Sequence, residues 1–122
     1  MNQEDSPIWI KSKAFAIRIV RLTKYLHDNH KEFVMSDQIR RSGTSIGANV
    51  RESRNAQSRA DFINKLQIAL KESDETEYWL ELLFATEYIS QEAFDSLIAD
   101  NKELTAMLTS IINTTKKRKV QS

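Results

Sequence analysis

Apolar residues recur along this chain in steps of three and four, the spacing of one face of an α-helix. In the first stretch Phe15, Ile19, Leu22 and Leu26 keep that rhythm, with Ile8 upstream in phase. Ser6-Pro7 makes a good start for it, a capping hydroxyl followed by proline where no amide donor is required. Residues 29–35, NHKEFVM, break the pattern and read as a connection. Ser36 then reads as the cap of a second helix, in which Ile39, Gly43, Ile46 and Val50 continue the stepping. Ser58, with Asp61 three residues on, opens a third helix in capping-box style. Its stripe is Phe62, Leu66, Ala69, Ser73, Thr76, Leu80 and Leu83, widened by Ile63, Leu70 and Phe84. Ser90 opens a fourth, carried by Phe94, Leu97, Asn101, Leu104, Leu108 and Ile111.

The expected helices are about 7–28, 36–53, 58–88 and 90–115. The third, if unbroken to Glu87, is about 45 Å long. Four amphipathic helices on short links predict an all-α, antiparallel, up-down-up-down bundle with shallow left-handed crossings. Residues 116–122 offer no apolar face and are expected to form a basic, disordered tail. A length of 122 residues suits one domain, 1–115, with a single core. One proline and two glycines argue against the many tight turns of an all-β domain.

Both glycines fall inside the second helix, in SGTSIGANVRES (42–53). Each costs a helix interior about 1 kcal/mol relative to alanine. Gly43 and Gly47 are four apart and share a face, and Ser42, Ala48 and Asn49 extend the low surface around them. Small residues let a neighbouring backbone approach closely, as in membrane helix pairs. The segment therefore predicts a tight helix–helix seam, within one bundle or between subunits; a loop is the alternative. Ser45 and Ser73 read as further helix-packing residues.

Charge divides the chain more sharply than its net +1 suggests. Residues 8–31 carry Lys11, Lys13, Arg18, Arg21, Lys24 and Lys31 against Asp28 alone. Residues 36–59 add Arg40, Arg41, Arg51, Arg54 and Arg59 against Asp37 and Glu52. From 60 to 88 the balance reverses, with an acidic run through Glu72, Asp74, Glu75, Glu77 and Glu81. The halves either pair with each other or keep a cationic face for nucleic acid.

QIRRSGTSIGANVRES (38–53) followed by DFINKLQIALKESDETEYWLELL (61–83) resembles a bacterial family of small four-helix-bundle proteins. The founding members of that family are encoded in intervening sequences of large-subunit ribosomal RNA genes. The accessory variability determinant of diversity-generating retroelements is a relative. The match falls on Gln38, Arg40, Arg41, Ser45, Ile46, Ala48, Asn49 and Glu52, then on Phe62, Ile68, Ala69, Ser73, Glu75 and Glu77. Ser53 stands where the family usually has glycine, so the exit from the second helix is expected to differ. The resemblance implies a ring-like homo-oligomer, commonly a pentamer, and no established enzymatic activity. For its members near retroelements it implies contact with nucleic acid and a reverse transcriptase.

Reactive chemistry finds little support. Without cysteine there is no disulfide, thiolate metal site or cysteine nucleophile. A di-iron bundle needs Glu-x-x-His on two helices, and the chain has none. His27 and His30 stand together where the first helix ends, a position that suits a cation. Neither a nucleophile elbow nor a phosphate-cradling glycine loop is present. The expectation is a protein that is not an enzyme and holds no cofactor or metal. The N-terminus has no signal-peptide pattern and no apolar run spans a membrane, so a cytoplasmic protein is expected.

Two groups of charges are singled out. Adjacent helix positions diverge by about 100°, so one of Arg40 and Arg41 is expected to point inward and pair with Glu75 or Glu77. On that reading Arg41→Ala lowers the melting temperature sharply. The candidate phosphate contacts are Lys11, Arg18, Arg21 and Lys24 on the first helix and Arg51, Arg54 and Arg59 around the next link. Lys116, Lys117, Arg118 and Lys119 complete them at the end of the chain. The functional expectation is an oligomeric scaffold binding RNA or DNA weakly and without sequence preference; the alternative is an adaptor that binds only protein. Trp9, Tyr78, Trp79 and Tyr88 are candidates for a subunit interface or for core.

Overall fold

A computed structural model describes residues 6–121 of the chain, with side chains through 118. Among the described residues there are four helices and no strand: α1 Pro7–His30, α2 Val34–Ser53, α3 Arg59–Ala85 and α4 Gln91–Gln121. Side-chain pairs between neighbours give their directions. Gly43 lies against Ile19 and Gly47 against Ser12, so α1 and α2 run oppositely. Thr76 meets Ser42 while Lys65 reaches Glu52, which reverses α3 against α2. Phe84 stacks on Phe94 and Ser73 bonds Asn101, which reverses α4 against α3. Each helix thus packs beside the next in an antiparallel bundle, and α4 closes back on α1 most sparsely.

The caps explain the boundaries. Ser6 accepts the Trp9 amide, Ser58 the Asp61 amide and Ser90 the Ala93 amide, each satisfying a donor that the first turn leaves open. Ser36 does not cap α2. The Glu32 carboxylate lies within hydrogen-bond reach of the amides of Val34, Met35 and Ser36, so α2 begins earlier than the serine suggests. The Ser36 side chain is instead fully buried, its Oγ 2.8 Å from His27 Nε2.

Neither glycine is used in a turn. The left-handed positions that end α1 and α3 are taken by Lys31 (φ 53°) and Glu87 (φ 68°). At the second of these, Tyr88 N–H bonds the Leu83 carbonyl and Glu87 N–H the Phe84 carbonyl, a Schellman closure. Gly43 and Gly47 sit inside α2. A Cβ on Gly43 would lie 2.8 Å from Ile19 Cγ1 and 3.2 Å from Ile19 Cβ; on Gly47 it would lie 3.3 Å from the Ser12 carbonyl oxygen. The seam is therefore inside the bundle, between α1 and α2.

Phe15, Ile19 and Leu26 of α1, Ile39 and Ile46 of α2, Leu66, Leu80 and Leu83 of α3, and Leu104 and Leu108 of α4 fill the core. A polar layer crosses it. Ser73 Oγ donates to Asn101 Oδ1 at 3.0 Å, Asn101 Nδ2 donates to the Ser73 carbonyl at 2.9 Å, and Thr76 donates to Ser42 Oγ at 2.9 Å. These groups are buried and mutually bonded, so they avoid the penalty of an unpaired polar atom. Ser73 is thus a true interhelical contact. Ser45 is not: half-buried, it bonds the Arg41 carbonyl of its own helix. Ser53 is the last residue of α2, buried and bonded to the Val50 carbonyl. Trp79 packs against the core, with exposed Tyr78 edge-on to it at 5.2 Å.

The expected disordered tail is the main departure in α4, which continues as helix to Gln121. Lys and Arg are good helix formers, no Gly or Pro interrupts them, and positive charge suits a helix C-terminus. Among the described residues, no helix is long and apolar enough to cross a membrane.

Candidate nucleic-acid interface

Antiparallel topology sorts the candidate cations into two groups. The start of α1 and of α3 and the finish of α2 and of α4 lie at the same end of the bundle. That end collects Arg51 and Arg54 from α2, Arg59 from α3, and Lys116, Lys117 and Arg118 from α4. Lys119 lies outside the residues with described side chains. Trp9, at the start of α1, lies against both Arg51 and Arg54. The Arg54 guanidinium carbon is 4.7 Å from its ring centroid and that of Arg51 is 5.5 Å away. Cations over an indole face are attracted by its quadrupole, so Trp9 holds both guanidinium groups in one place. Across the same end Arg59 and Arg118 line a cavity of about 480 Å³, together with the hydroxyls of Ser110 and Thr114 and the apolar Phe62 and Ile111.

The α1 candidates divide. Lys11 Nζ is 2.8 Å from Glu103 Oε2, and Arg18 Nη1 is 2.6 Å from Asp100 Oδ2 while Nη2 donates to Ser96 Oγ at 2.9 Å. These two cations already have anions on α4, which removes them from a phosphate face. Arg21 and Lys24 remain exposed, alongside Lys13, and line one shallow surface with Ile17 and Val20.

The buried ion pair is not formed. Arg40 and Arg41 are both exposed: Arg40 pairs with Asp37 at 3.0 Å, and Arg41 donates to Gln38 Oε1 at 2.6 Å. Neither reaches Glu75 or Glu77. Arg41 stands two positions, about 200°, round the helix from buried Ile39, and so on the solvent side. A sharp melting loss for Arg41→Ala no longer follows. The acid that feels Arg41 is half-buried Glu72. Burial raises its carboxyl above the ordinary range, the Glu75 charge raises it further, and Arg41 and Lys71 draw it back.

The histidines build structure at the opposite end. Besides its bond to Ser36, His27 lies 4.8 Å from the Phe33 ring. His30 meets Tyr25 and Tyr88 edge-on, each at 5.3 Å. Among the described residues, no cluster of three or more His, Asp or Glu is placed to hold a metal.

The model of the 23S rRNA-intervening sequence protein family matches residues 4–110. The chain belongs to that family. It is also similar to a crystal structure from Bacteroides thetaiotaomicron VPI-5482, described as a protein of unknown function from the S23 ribosomal protein family. The identity is 63%, the TM-score is 0.85, and the match covers 86% of this chain and 97% of that one. No curated protein matches.

Within the family match lie Trp9, both glycines, Arg51, Arg54 and Arg59; Thr114 and Arg118 fall beyond it. The α2 and α3 cations of this end thus lie inside the family match, and the last turns of α4 lie beyond it. Sequence reasoning missed the role of Trp9. Its only signal was an aromatic at a helix start and two arginines three apart, which meet only once the α1–α2 register is known.

Proposed function

We propose that this protein is a non-catalytic, self-associating helical scaffold that binds nucleic acid weakly and without reading sequence. The contact surface is the bundle end formed by Arg51, Arg54, Arg59, Lys116, Lys117 and Arg118; Arg21 and Lys24 lie farther along α1, toward its other end. The observation that carries this reading is the gathering of cations from three helices at one end, with two of them fixed on Trp9. Guanidinium and ammonium groups contact phosphates whatever the bases are, and no recognition helix or base-reading motif accompanies them. The family's link to ribosomal RNA genes agrees with this reading.

Self-association, as a pentamer on the family pattern, belongs to the same proposal. The outer face of α1 exposes Ile10 at 53% and Ile17 at 44%, apolar surface that a second copy can cover. Repeating one modest cationic end around a ring multiplies weak contacts through avidity. Light scattering at two concentrations tests the assembly.

Binding is tested by titrating mixed-sequence RNA and DNA at several salt concentrations. Micromolar affinity at low salt is expected, with log K falling against log salt with a slope of about −2 to −3 if three phosphates are neutralised. No binding at micromolar protein in low salt overturns the reading in favour of a protein-only adaptor.

A further inference from the structure

Next to the cationic end, α1 and α2 leave a slot of about 260 Å³ on the outside of their seam. Ala16, Gly47 and Ala48 give it a low apolar floor, Trp9 lines it, and exposed Lys13 and Arg51 stand over it. No acidic residue lines it. Gly47, which lets α2 approach the Ser12 backbone, also deepens the slot, because a side chain longer than alanine there, or at 16 or 48, would fill it.

We infer that this slot receives one unpaired base of a single-stranded nucleic acid, with the adjoining phosphates held by Lys13, Arg51 and Arg54. The inference rests on the nucleic-acid reading above and narrows it to a strand form. Size is the first argument. The slot is below the roughly 300–1,000 Å³ of pockets for drug-sized ligands, and so suits one planar ring system. Chemistry is the second. An indole and a guanidinium plane are the groups on which unstacked bases rest, and such stacking tolerates any base. Charge is the third. Arg51 lines the slot while also lying over the Trp9 ring, so the apolar floor and the phosphate contact belong to one place. In a duplex both faces of each base are covered by neighbours and cannot enter. An apolar protein side chain would fit the floor but leaves the all-cationic rim without a partner.

The test uses the full chain with Trp79→Phe, which leaves Trp9 as its one tryptophan, and the same background with Ala48→Leu. Ala48 is exposed on α2, so leucine there fills the slot without entering the core. The probes are a short mixed-sequence single-stranded RNA, its DNA counterpart, the corresponding blunt duplex and a glutamate-rich peptide. The single strands are expected to bind about tenfold tighter than the duplex and to quench Trp9 emission, which the duplex leaves unchanged. Ala48→Leu is expected to bring single-strand affinity down to the duplex value and leave duplex affinity as it was. Equal binding of both forms without quenching overturns the slot and leaves the phosphate-binding end standing. Absence of binding by any nucleic acid removes both, and quenching by the acidic peptide alone assigns the slot to a protein partner and overturns the inference.

Discussion

The two flanks of α1 are held by different physics. On one side it meets α2 at glycine positions, where a missing Cβ lets Ile19 and the Ser12 backbone come within van der Waals distance of the facing helix. On the other it meets α4 sparsely, through two ion pairs whose side chains are between a third and a half exposed. Close packing of this kind penalises added volume most where the contact is tightest, whereas an exposed ion pair contributes only about 0–1 kcal/mol. The contrast also assigns the charges. Lys11 and Arg18 belong to the fold because acids of α4 face them; the cations at the bundle end are gathered from three helices, two of these cations over the Trp9 ring.

The sharpest way to break this contrast is Gly43→Ala. The new methyl would meet the rigid, β-branched, buried Ile19, and the overpacking cost of about 1–3 kcal/mol exceeds the helix-propensity gain of about 1 kcal/mol at its upper end. A melting temperature lowered by roughly 3–8 °C is expected. Gly47→Ala meets one carbonyl oxygen at 3.3 Å, so a shift of a few tenths of an ångström absorbs it and the change stays near neutral. Equal effects at the two glycines would contradict a seam tightest at Ile19.

On the opposite flank, the double variant Lys11→Gln, Arg18→Gln is expected to cost under about 2 kcal/mol, with the loss shrinking as salt is added. A loss independent of salt would mean that the α1–α4 seam is not ionic in character. The smallest effect concerns Glu72. Its raised carboxyl binds protons more readily folded than unfolded, so stability falls as pH rises through and above the ordinary carboxylate range. Glu72→Gln should therefore be slightly more stable than the parent near neutrality and show no advantage in acid. Melting curves at the two pH values check the sign.

The helices were legible because one residue in every three or four had to be apolar, and serines before those runs marked three of the four starts. The α2 start was not, because its capping group is a carboxylate two to four residues before the amides it serves. Arg41 could have been placed from position alone, since Ile39 fixes which way the helix faces; adjacency to Arg40 was the weaker clue. The pairing of Lys11 and Arg18 was beyond reach, because it depends on the register of α1 against α4, the two helices farthest apart in sequence. The same holds for Trp9 and its arginines. The glycine seam was legible as a seam, and only the structure put it between α1 and α2.

The measurement that bears most directly on function compares two charge-removed proteins in the same salt titration. One lacks Arg51, Arg54, Arg59 and Arg118 as glutamines; the other lacks Lys11 and Arg18. The first is expected to lose most of its affinity for mixed-sequence RNA and to flatten the salt slope by about 2–3, and the second to bind as the parent does. Undiminished binding by the first protein, or loss confined to the second, would contradict a cationic bundle end as the nucleic-acid surface.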